Sequence, residues 1–270
     1  MTPDVFVMAP EPEDEGLEYP GASVPDRFAA GPRGEYARSA SKARPRWWSA
    51  RHRRRSDEEV PQSPAVYLVP EDLRAPCRSA LRTFAGVEPR TIAVISAVRG
   101  EGRTTVALSC ALVEQEELAR STVLLELDLG RPALGPVLGL QARVGLAEVL
   151  RGEASVDEAL TWITPTLGVV LAGSAGDPGR GLLAFRHSGL LEQLRGAGHT
   201  VVADLPPVSP GHHGDRVVDQ FDNTILVVRA GRTPLEQVRA AAQMTAQPPA
   251  LLLNATSSAV PGWLRRPLGM

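Results

Sequence analysis

The sequence predicts an α/β protein with a doubly wound, mostly parallel β-sheet and helices on both flanks. Two observations carry this prediction. From residue 67 onward, short runs rich in β-branched residues and leucine alternate with longer helical stretches, which is typical of βαβ units. Each short run is also apolar nearly throughout, as a strand covered by helices on both faces requires. A parallel sheet between two helical layers satisfies both observations.

Six strands and six helical stretches follow from this pattern. The predicted strands span residues 91–96, 122–127, 168–172, 200–204, 223–228 and 250–253. The predicted helices span residues 71–84, 104–118, 146–160 in two pieces, 181–196, 213–220 and 234–246. No internal repeat is visible along these segments.

Composition excludes several classes of protein. The chain has 270 residues and 43% hydrophobic content, which is enough for a sizeable core. Its 29 Lys and Arg against 31 Asp and Glu give a net charge of -2, so we expect no specific nucleic-acid partner. The two cysteines, Cys77 and Cys110, have no neighbours at metal-ligand spacing, which argues against a zinc site or a disulfide framework. No signal peptide or membrane span is visible, so we expect a cytoplasmic protein.

The first 66 residues differ from the rest of the chain. Six acids and no base lie in residues 1–20, whereas eight bases and no acid lie in residues 38–55. We expect a disordered tail over 1–66, because such a segment buries too little apolar surface to offset its ordering entropy. We favour a solvated linker for the basic half of this tail, and the arginines beside Trp47 and Trp48 leave contact with an anionic membrane surface or with nucleic acid as alternatives. The folded domain would then span 67–256, followed by a short tail over 257–270.

The loop after the first predicted strand of the domain resembles a phosphate cradle. Glycines between a buried strand and a helix N-terminus direct several backbone N–H groups at one point, where the helix dipole also favours an anion. Against the P-loop template G-x-x-x-x-G-K-[ST], Ala97 stands at the first glycine and Gly102 matches the second. Arg103 replaces the lysine, and Thr104 supplies the hydroxyl for Mg²⁺. An ordinary glycine-containing turn is the alternative.

Acidic residues follow two of the predicted strands. Glu126 and Asp128 end the second strand of the domain, and Asp204 ends the fourth. The carboxyl edge of an open α/β sheet is where ligands bind, and carboxylates there can coordinate Mg²⁺. A helix cap or a turn is the alternative for each acid alone. We expect His212 and His213, adjacent in an irregular loop, to face solvent rather than to bind a metal.

Six stretches together resemble the cytoplasmic domain of bacterial tyrosine kinases of capsule and exopolysaccharide assembly, the CpsD/CapB/Wzc type within the MinD/ParA-like P-loop ATPases. The resemblance covers about residues 71–254 and rests on VISAVRGEGRTTVALSCAL, STVLLELDLGRPALGPVLGL, GLAEVLRGEASVDEAL, LLAFRHSGLLEQLR, VVADLPPV and ILVVRAGRTPLEQV. It implies a sheet of seven or eight strands, Mg-ATP as cofactor, and autophosphorylation or ATPase cycling. It also implies a partner, the membrane chain-length determinant or polysaccharide co-polymerase, with the domain at the inner face of the cell membrane.

The resemblance also implies roles for individual residues. The phosphate loop would consist of Gly100, Glu101, Gly102, Arg103, Thr104 and Thr105. Thr104, Asp128 and Asp204 would surround the metal, and Arg103 would act with both aspartates in catalysis. Asn254 occupies the place of an asparagine that faces adenine, although a turn residue at the strand end is the alternative.

Several residues depart from the family pattern. Arg103 stands for the phosphate-gripping lysine, and Glu126 stands for the first acid of a D-x-D motif. The family's C-terminal tyrosine cluster is missing from SSAVPGWLRRPLGM, and the three tyrosines of the chain are Tyr19, Tyr36 and Tyr67. The oligomer-forming E-x-x-R-x-x-R helix is only approximated by Glu71, Arg74 and Arg78, which leaves a homo-oligomer open.

Three functions are consistent with these observations. The main prediction is an ATP-binding, tyrosine-kinase-like regulator of exopolysaccharide or capsule polymerisation and export. A non-catalytic nucleotide-binding scaffold of the same complex is the second, because Arg103 and Glu126 replace active-site residues. A positioning ATPase of the MinD/ParA type is the third, although its loops usually carry a further lysine where this chain has Val98.

Overall fold

A computed structural model describes residues 4–8, 69, 71–84, 89–209 and 212–256, all of which belong to one compact unit of the chain. The predicted tail over 1–66, apart from residues 4–8, and the tail over 257–270 lie outside the described residues. So do Tyr19, Tyr36 and Tyr67.

The described residues form one eight-stranded sheet, which confirms the predicted fold class. Its strands are β1 (Asp4–Met8), β2 (Thr91–Ser96), β3 (Thr122–Glu126), β4 (Leu160–Trp162), β5 (Leu167–Val170), β6 (Thr200–Asp204), β7 (Asn223–Arg229) and β8 (Ala250–Thr256). In space the order is β1-β8-β7-β2-β6-β3-β5-β4. The six inner strands are parallel, and the two edge strands, β1 and β4, are antiparallel to their neighbours.

Eight α-helices cover the sheet within the described segments. They are α1 (Glu71–Thr83), α2 (Arg103–Glu116), α3 (Leu134–Leu138), α4 (Leu146–Leu150), α5 (Val156–Ala159), α6 (Pro178–His187), α7 (Leu190–Gly196) and α8 (Leu235–Gln243). The helix predicted over 181–196 is divided, because Gly189 adopts a left-handed conformation with φ 65° at the start of α7. The stretch predicted as a helix over 213–220 forms two 3₁₀ turns, Gly214–Arg216 and Val218–Gln220.

Side chains alternate between two hydrophobic cores along each inner strand. In β2, Ile92 and Val94 face one core, whereas Ala93 and Ile95 face the other. Helices α1 to α3 contribute to the first core and α4 to α8 to the second. This burial of both strand faces is the physical reason why the strands read as continuous apolar runs. Within the described residues, no helix has the length and apolar character needed to cross a bilayer.

Sheet topology determines where the polar side chains meet. Strand β6 lies between β2 and β3, and all three run in the same direction. Asp204 at the end of β6 is in register with Glu126 at the end of β3. The loop after β2 and the turns after β3 and β6 therefore lie side by side at the carboxyl edge of the sheet.

Candidate functional site

The loop between β2 and α2 has the backbone conformation of a tight, glycine-dependent turn. Gly100 and Gly102 have φ values of 81° and 88°, in the left-handed region that disfavours other residues. Space around Gly102 is also restricted, because a Cβ atom there would lie 2.1 Å from Nδ2 of Asn254. Gly102 is thus required both for the turn and for the close approach of β8.

The side chain of Glu101 fixes this loop to neighbouring elements. It is buried, and its carboxylate accepts hydrogen bonds from the backbone N–H groups of Val98 and Arg229, each at 3.0 Å. The hydroxyl of Thr233 also donates to it. Asn254 donates from Nδ2 to the carbonyl of Glu101 at 2.7 Å. Two of the residues predicted for nucleotide binding, Glu101 and Asn254, therefore hold the loop in shape, and contact of Asn254 with adenine stays a prediction.

The start of α2 presents backbone donors that are not used within the described part of the chain. The first turn of a helix leaves its N–H groups without intrahelical partners. Gly102 occupies the N-cap and has no side chain to satisfy them. No described residue accepts a hydrogen bond from the N–H of Arg103, Thr104 or Thr105. Such an array, at the positive end of a 14-residue helix, is suited to an anion.

Arg103 turns inward and lies between two aspartates. Its Nε donates to Asp204 Oδ1 at 2.8 Å, and its terminal nitrogens donate to Asp128 Oδ2 at 2.7 Å and to Ser96 Oγ at 3.1 Å. The hydroxyl of Thr104 donates to the other oxygen of Asp204 at 2.6 Å. Arg103, Asp128 and Asp204 are only 8%, 3% and 1% exposed. The nucleotide-site hypothesis requires these residues to share one location, and they are in direct contact.

A second arginine balances the charge of this cluster. Arg99, in the loop, donates to Asp128 Oδ2 at 3.0 Å and remains partly exposed. Two arginines thus face two aspartates. Burial raises the pKa of Asp204, and the nearby positive charge of Arg103 and the hydrogen bond from Thr104 oppose that shift. Sequence reasoning missed the parts played by Arg99 and Ser96, because neither belongs to a motif position that carries chemistry.

Glu126 is separate from this cluster. Its carboxylate accepts hydrogen bonds from the N–H groups of Ala133 and Leu134, both at 2.6 Å, and of Ala172 at 2.9 Å. It therefore satisfies the start of α3 and the turn after β5. Burial raises its pKa, and the three backbone hydrogen bonds act in the opposite direction. The longer side chain in place of the family's aspartate has a backbone-binding role here.

The fit of a magnesium ion depends on the same oxygens. Thr104, Asp128 and Asp204 supply the oxygen chemistry that Mg²⁺ prefers. All three are engaged with one another or with arginine. No group of three or more His, Cys, Asp or Glu side chains in the described segments could hold a metal ion. The arrangement does not fit a divalent ion while Arg103 bridges the carboxylates, so magnesium remains a prediction from the sequence.

A cleft of about 120 Å³ opens beside the cluster. Its walls include Arg99, Asp128, His212 and His213. Both histidines are only partly exposed, and His213 has a left-handed backbone with φ 66°. His212 contacts Ser209 through Nδ1 at 3.1 Å. The sequence prediction that both face solvent is therefore only partly met, since they line this cleft.

Relatives in sequence are tyrosine kinases and a polysaccharide transport protein. The chain is 32% identical over 161 residues to the succinoglycan biosynthesis transport protein ExoP of Rhizobium meliloti, a match covering 58% of this chain and 20% of that protein. It is 26% identical over 193 residues to the tyrosine-protein kinase YwqD of Bacillus subtilis, covering 69% and 81%. It is 25% identical over 192 residues to the tyrosine-protein kinase CpsD of Streptococcus agalactiae, covering 67% and 82%. No family model matches the chain.

Solved structures show the same fold. The kinase domain of the Escherichia coli tyrosine kinase ETK aligns with a TM-score of 0.61 at 21% identity, covering 71% of this chain and 78% of that one. The kinase domain of VpsO aligns with a TM-score of 0.56 at 24% identity, covering 66% and 86%. The resemblance identified from the motifs is confirmed: this chain is similar in sequence to bacterial tyrosine-protein kinases, and it has the fold of the ETK and VpsO kinase domains.

Proposed function

We propose that this chain is an ATP-binding, tyrosine-kinase-like regulator of exopolysaccharide or capsule polymerisation and export. The observation that carries the proposal is that the backbone N–H groups of Arg103, Thr104 and Thr105, at the start of α2, donate to no acceptor among the described residues. The similarity of the chain in sequence to tyrosine-protein kinases and to a succinoglycan biosynthesis transport protein supports a role in polysaccharide assembly. A membrane co-polymerase or chain-length determinant would be its partner, at the cytoplasmic face of the membrane.

Different loop residues would contribute different interactions to the binding of a triphosphate. Backbone N–H groups of residues 103–105 would donate hydrogen bonds to the phosphate oxygens, and the dipole of α2 would favour the negative charge of the phosphates. Arg99 lies partly exposed at the rim, where a cation can meet the terminal phosphate. Glu101 holds the loop in its binding conformation before the ligand binds, because its carboxylate accepts a hydrogen bond from the backbone of β7. Preorganisation of this kind lowers the cost of binding.

A charge placed on the cradle tests the proposal. Thr105 is exposed in the first turn of α2, so Thr105→Glu places a carboxylate among the uncommitted N–H groups. An acid in a first helical turn favours folding, whereas it competes with a bound anion. We expect wild type to bind ATP in calorimetric titration, and Thr105→Glu to bind at least about tenfold more weakly, which is about 1.4 kcal/mol, without a lower Tm.

A matched control exists in α8. Gln237 holds the same third helical position and is also exposed, so Gln237→Glu adds the same charge at a first helical turn away from the loop. Its ATP affinity should equal that of wild type. Absence of ATP binding by the wild-type chain would overturn the proposal, and equal losses in both variants would show that the loop is not the binding site.

A non-catalytic scaffold of the same complex is the second candidate. The observation in its favour is that Arg103 is held by both carboxylates, away from the cradle. Phosphotyrosine formation and ATP hydrolysis by wild type, measured with the membrane partner supplied, would support the kinase. The scaffold would be supported if both proteins bind ATP but only Arg103→Lys, and not wild type, hydrolyses it.

A further inference from the structure

Arg103 occupies the position between two carboxylates that a metal ion would take. Its guanidinium donates to Asp204 at 2.8 Å and to Asp128 at 2.7 Å, and the whole side chain is buried. A third nitrogen donates to Ser96 at 3.1 Å. Three different nitrogens are thus engaged, each with a different partner, so the group is held as a bridging cation.

The second oxygen of each aspartate is also engaged, and that of Asp128, Oδ1, accepts from the backbone N–H of Arg131 at 3.3 Å. Thr104 donates its hydroxyl to Asp204 Oδ2 at 2.6 Å. Arg99 adds a second positive charge beside Asp128 at 3.0 Å. The two aspartates are therefore neutralised by two arginines inside the chain, and a divalent cation would add positive charge where balance is already reached.

Arginine is better suited than lysine to this position. The guanidinium is a planar fork with five N–H donors, so it reaches both carboxylates and Ser96 at the same time. An ammonium group is a compact point charge on a flexible stem. Arginine at the position of the P-loop lysine thus keeps the positive charge and also has the geometry needed to bridge Asp128 and Asp204.

We infer that Arg103 serves as the resident cation of this site, and that the chain binds the nucleotide triphosphate without a divalent metal. The inference rests on the proposed function, since it concerns the same site. Free ATP would bind to the backbone cradle while the two carboxylates stay paired with Arg103. Repulsion between the aspartates and the phosphates, which a metal ion normally screens, is screened here by Arg103 and Arg99.

Calorimetric titration of the full chain with ATP tests this directly. One titration contains excess EDTA and the other contains saturating Mg²⁺. We expect the two dissociation constants of wild type to agree within about threefold, or to favour the EDTA condition, where a tenfold difference equals about 1.4 kcal/mol. Binding that weakens tenfold or more in EDTA would overturn the inference and leave the proposed function standing. Absence of binding in both conditions would overturn both.

The Arg103→Lys variant supplies the second measurement. Lysine frees at least one carboxylate, so ATP should bind this variant at least tenfold more tightly with Mg²⁺ than with EDTA. Arg239→Lys, an exposed arginine on α8, is the matched control and should behave as wild type. A variant Arg103→Lys that is as indifferent to Mg²⁺ as wild type would overturn the inference. The wild-type comparison stands alone if that variant fails to fold.

Discussion

Two buried charged clusters lie at opposite ends of α2, and they have inverse composition. They consist of Arg103 with Asp128 and Asp204, and of Glu114 with Arg90 and Arg120. In the Arg103 cluster one guanidinium bridges two carboxylates. In the Glu114 cluster one fully buried carboxylate accepts from Arg90 at 2.5 Å and from Arg120 at 2.7 Å.

Their surroundings separate a structural cluster from a candidate binding site. The Glu114 cluster is closed off by its own neighbours: Arg90 also donates to the carbonyl of Phe84 and lies 5.9 Å from its ring. The Arg103 cluster adjoins a glycine loop, a cleft, and a row of backbone N–H groups that have no acceptor within the described segments. Ion pairing is common to both, so buried pairs alone do not indicate a ligand site, whereas the open backbone donors do.

Removing the shared carboxylate should produce the largest effect. Glu114→Gln removes the carboxylate that pairs with the buried Arg90 and with Arg120, and breaking a buried pair in this way costs about 3–5 kcal/mol. Urea unfolding measures the loss of free energy. Glu192→Gln, an exposed acid on α7, is the control and should change stability by less than about 0.5 kcal/mol. A loss below about 1 kcal/mol for Glu114→Gln would contradict the structural role of its cluster.

Removing the shared arginine, Arg103, should have a smaller effect on stability, which magnesium should partly reverse. Arg103→Met leaves two buried carboxylates, of which Asp128 keeps Arg99, so we expect a loss of about 2–3 kcal/mol in EDTA. Millimolar Mg²⁺ should recover part of that loss by binding the released carboxylates. Arg120→Met makes the same substitution at one of the two arginines of the Glu114 cluster, and Mg²⁺ should not restore the stability of that variant. Equal unfolding curves of Arg103→Met with and without Mg²⁺ would remove the distinction between the clusters.

Substitution of the two loop glycines, Gly100 and Gly102, should have a third, smaller effect on stability. Gly100→Ala and Gly102→Ala both carry the backbone cost of a left-handed residue, about 1–2 kcal/mol. Only Gly102→Ala also collides with Asn254, since space around Gly100 is open. We expect Gly102→Ala to lose at least about tenfold, or 1.4 kcal/mol, more ATP affinity than Gly100→Ala. Adding Asn254→Ala should recover part of the stability lost by Gly102→Ala, and no recovery would contradict the collision.

The smallest effect concerns Glu126, a buried carboxylate that accepts no hydrogen bond from an arginine within the described part of the chain. Glu126→Gln replaces one accepting oxygen by an amide, which we expect to cost about 1 kcal/mol at acidic pH. Because burial raises the pKa of Glu126, the unfolded chain ionises first as pH rises, and wild type loses the stability that its protonated form supplied.

The cost of Glu126→Gln should therefore shrink between pH about 5 and about 8, since the variant lacks this titration. Urea unfolding of both proteins at the two pH values measures the difference in stability. The other carboxylates contribute equally to the pH dependence of both proteins, so their contributions cancel. A cost that grows with pH would show that hydrogen bonds to the charged carboxylate outweigh its burial.

The repeating elements of the fold were predictable because their signals are local. Each of the six predicted strands is present, since an apolar run flanked by helices has few alternatives. The edge strands β1 and β4 were missed. β4 has three residues that follow a short helix, and β1 lies in the segment predicted as a disordered tail. Helix α3 was missed because its five residues include Gly135 and Pro136, which are poor helix formers.

Side-chain direction was the part of the site that could not be predicted. The positions of the loop, Asp128 and Asp204 after their strands predicted that they lie at one edge of the sheet. In the structure Arg103 of the loop contacts both aspartates there. Whether Arg103 points toward the cradle or toward the aspartates depends on β6 lying between β2 and β3, which is a tertiary fact. The same holds for Glu126, whose three partners come from distant segments.

The antiparallel borders of the sheet bear on how the protein avoids aggregation. A foreign polypeptide extends a sheet most readily along a long, regular row of free backbone groups. β4 offers three residues, and the pairing of β1 slips in register between Asp4 and Phe6. Shortening the chain to start after residue 8 would uncover the seven residues of β8, and such a truncated protein should precipitate or form fibrils more readily than the full chain.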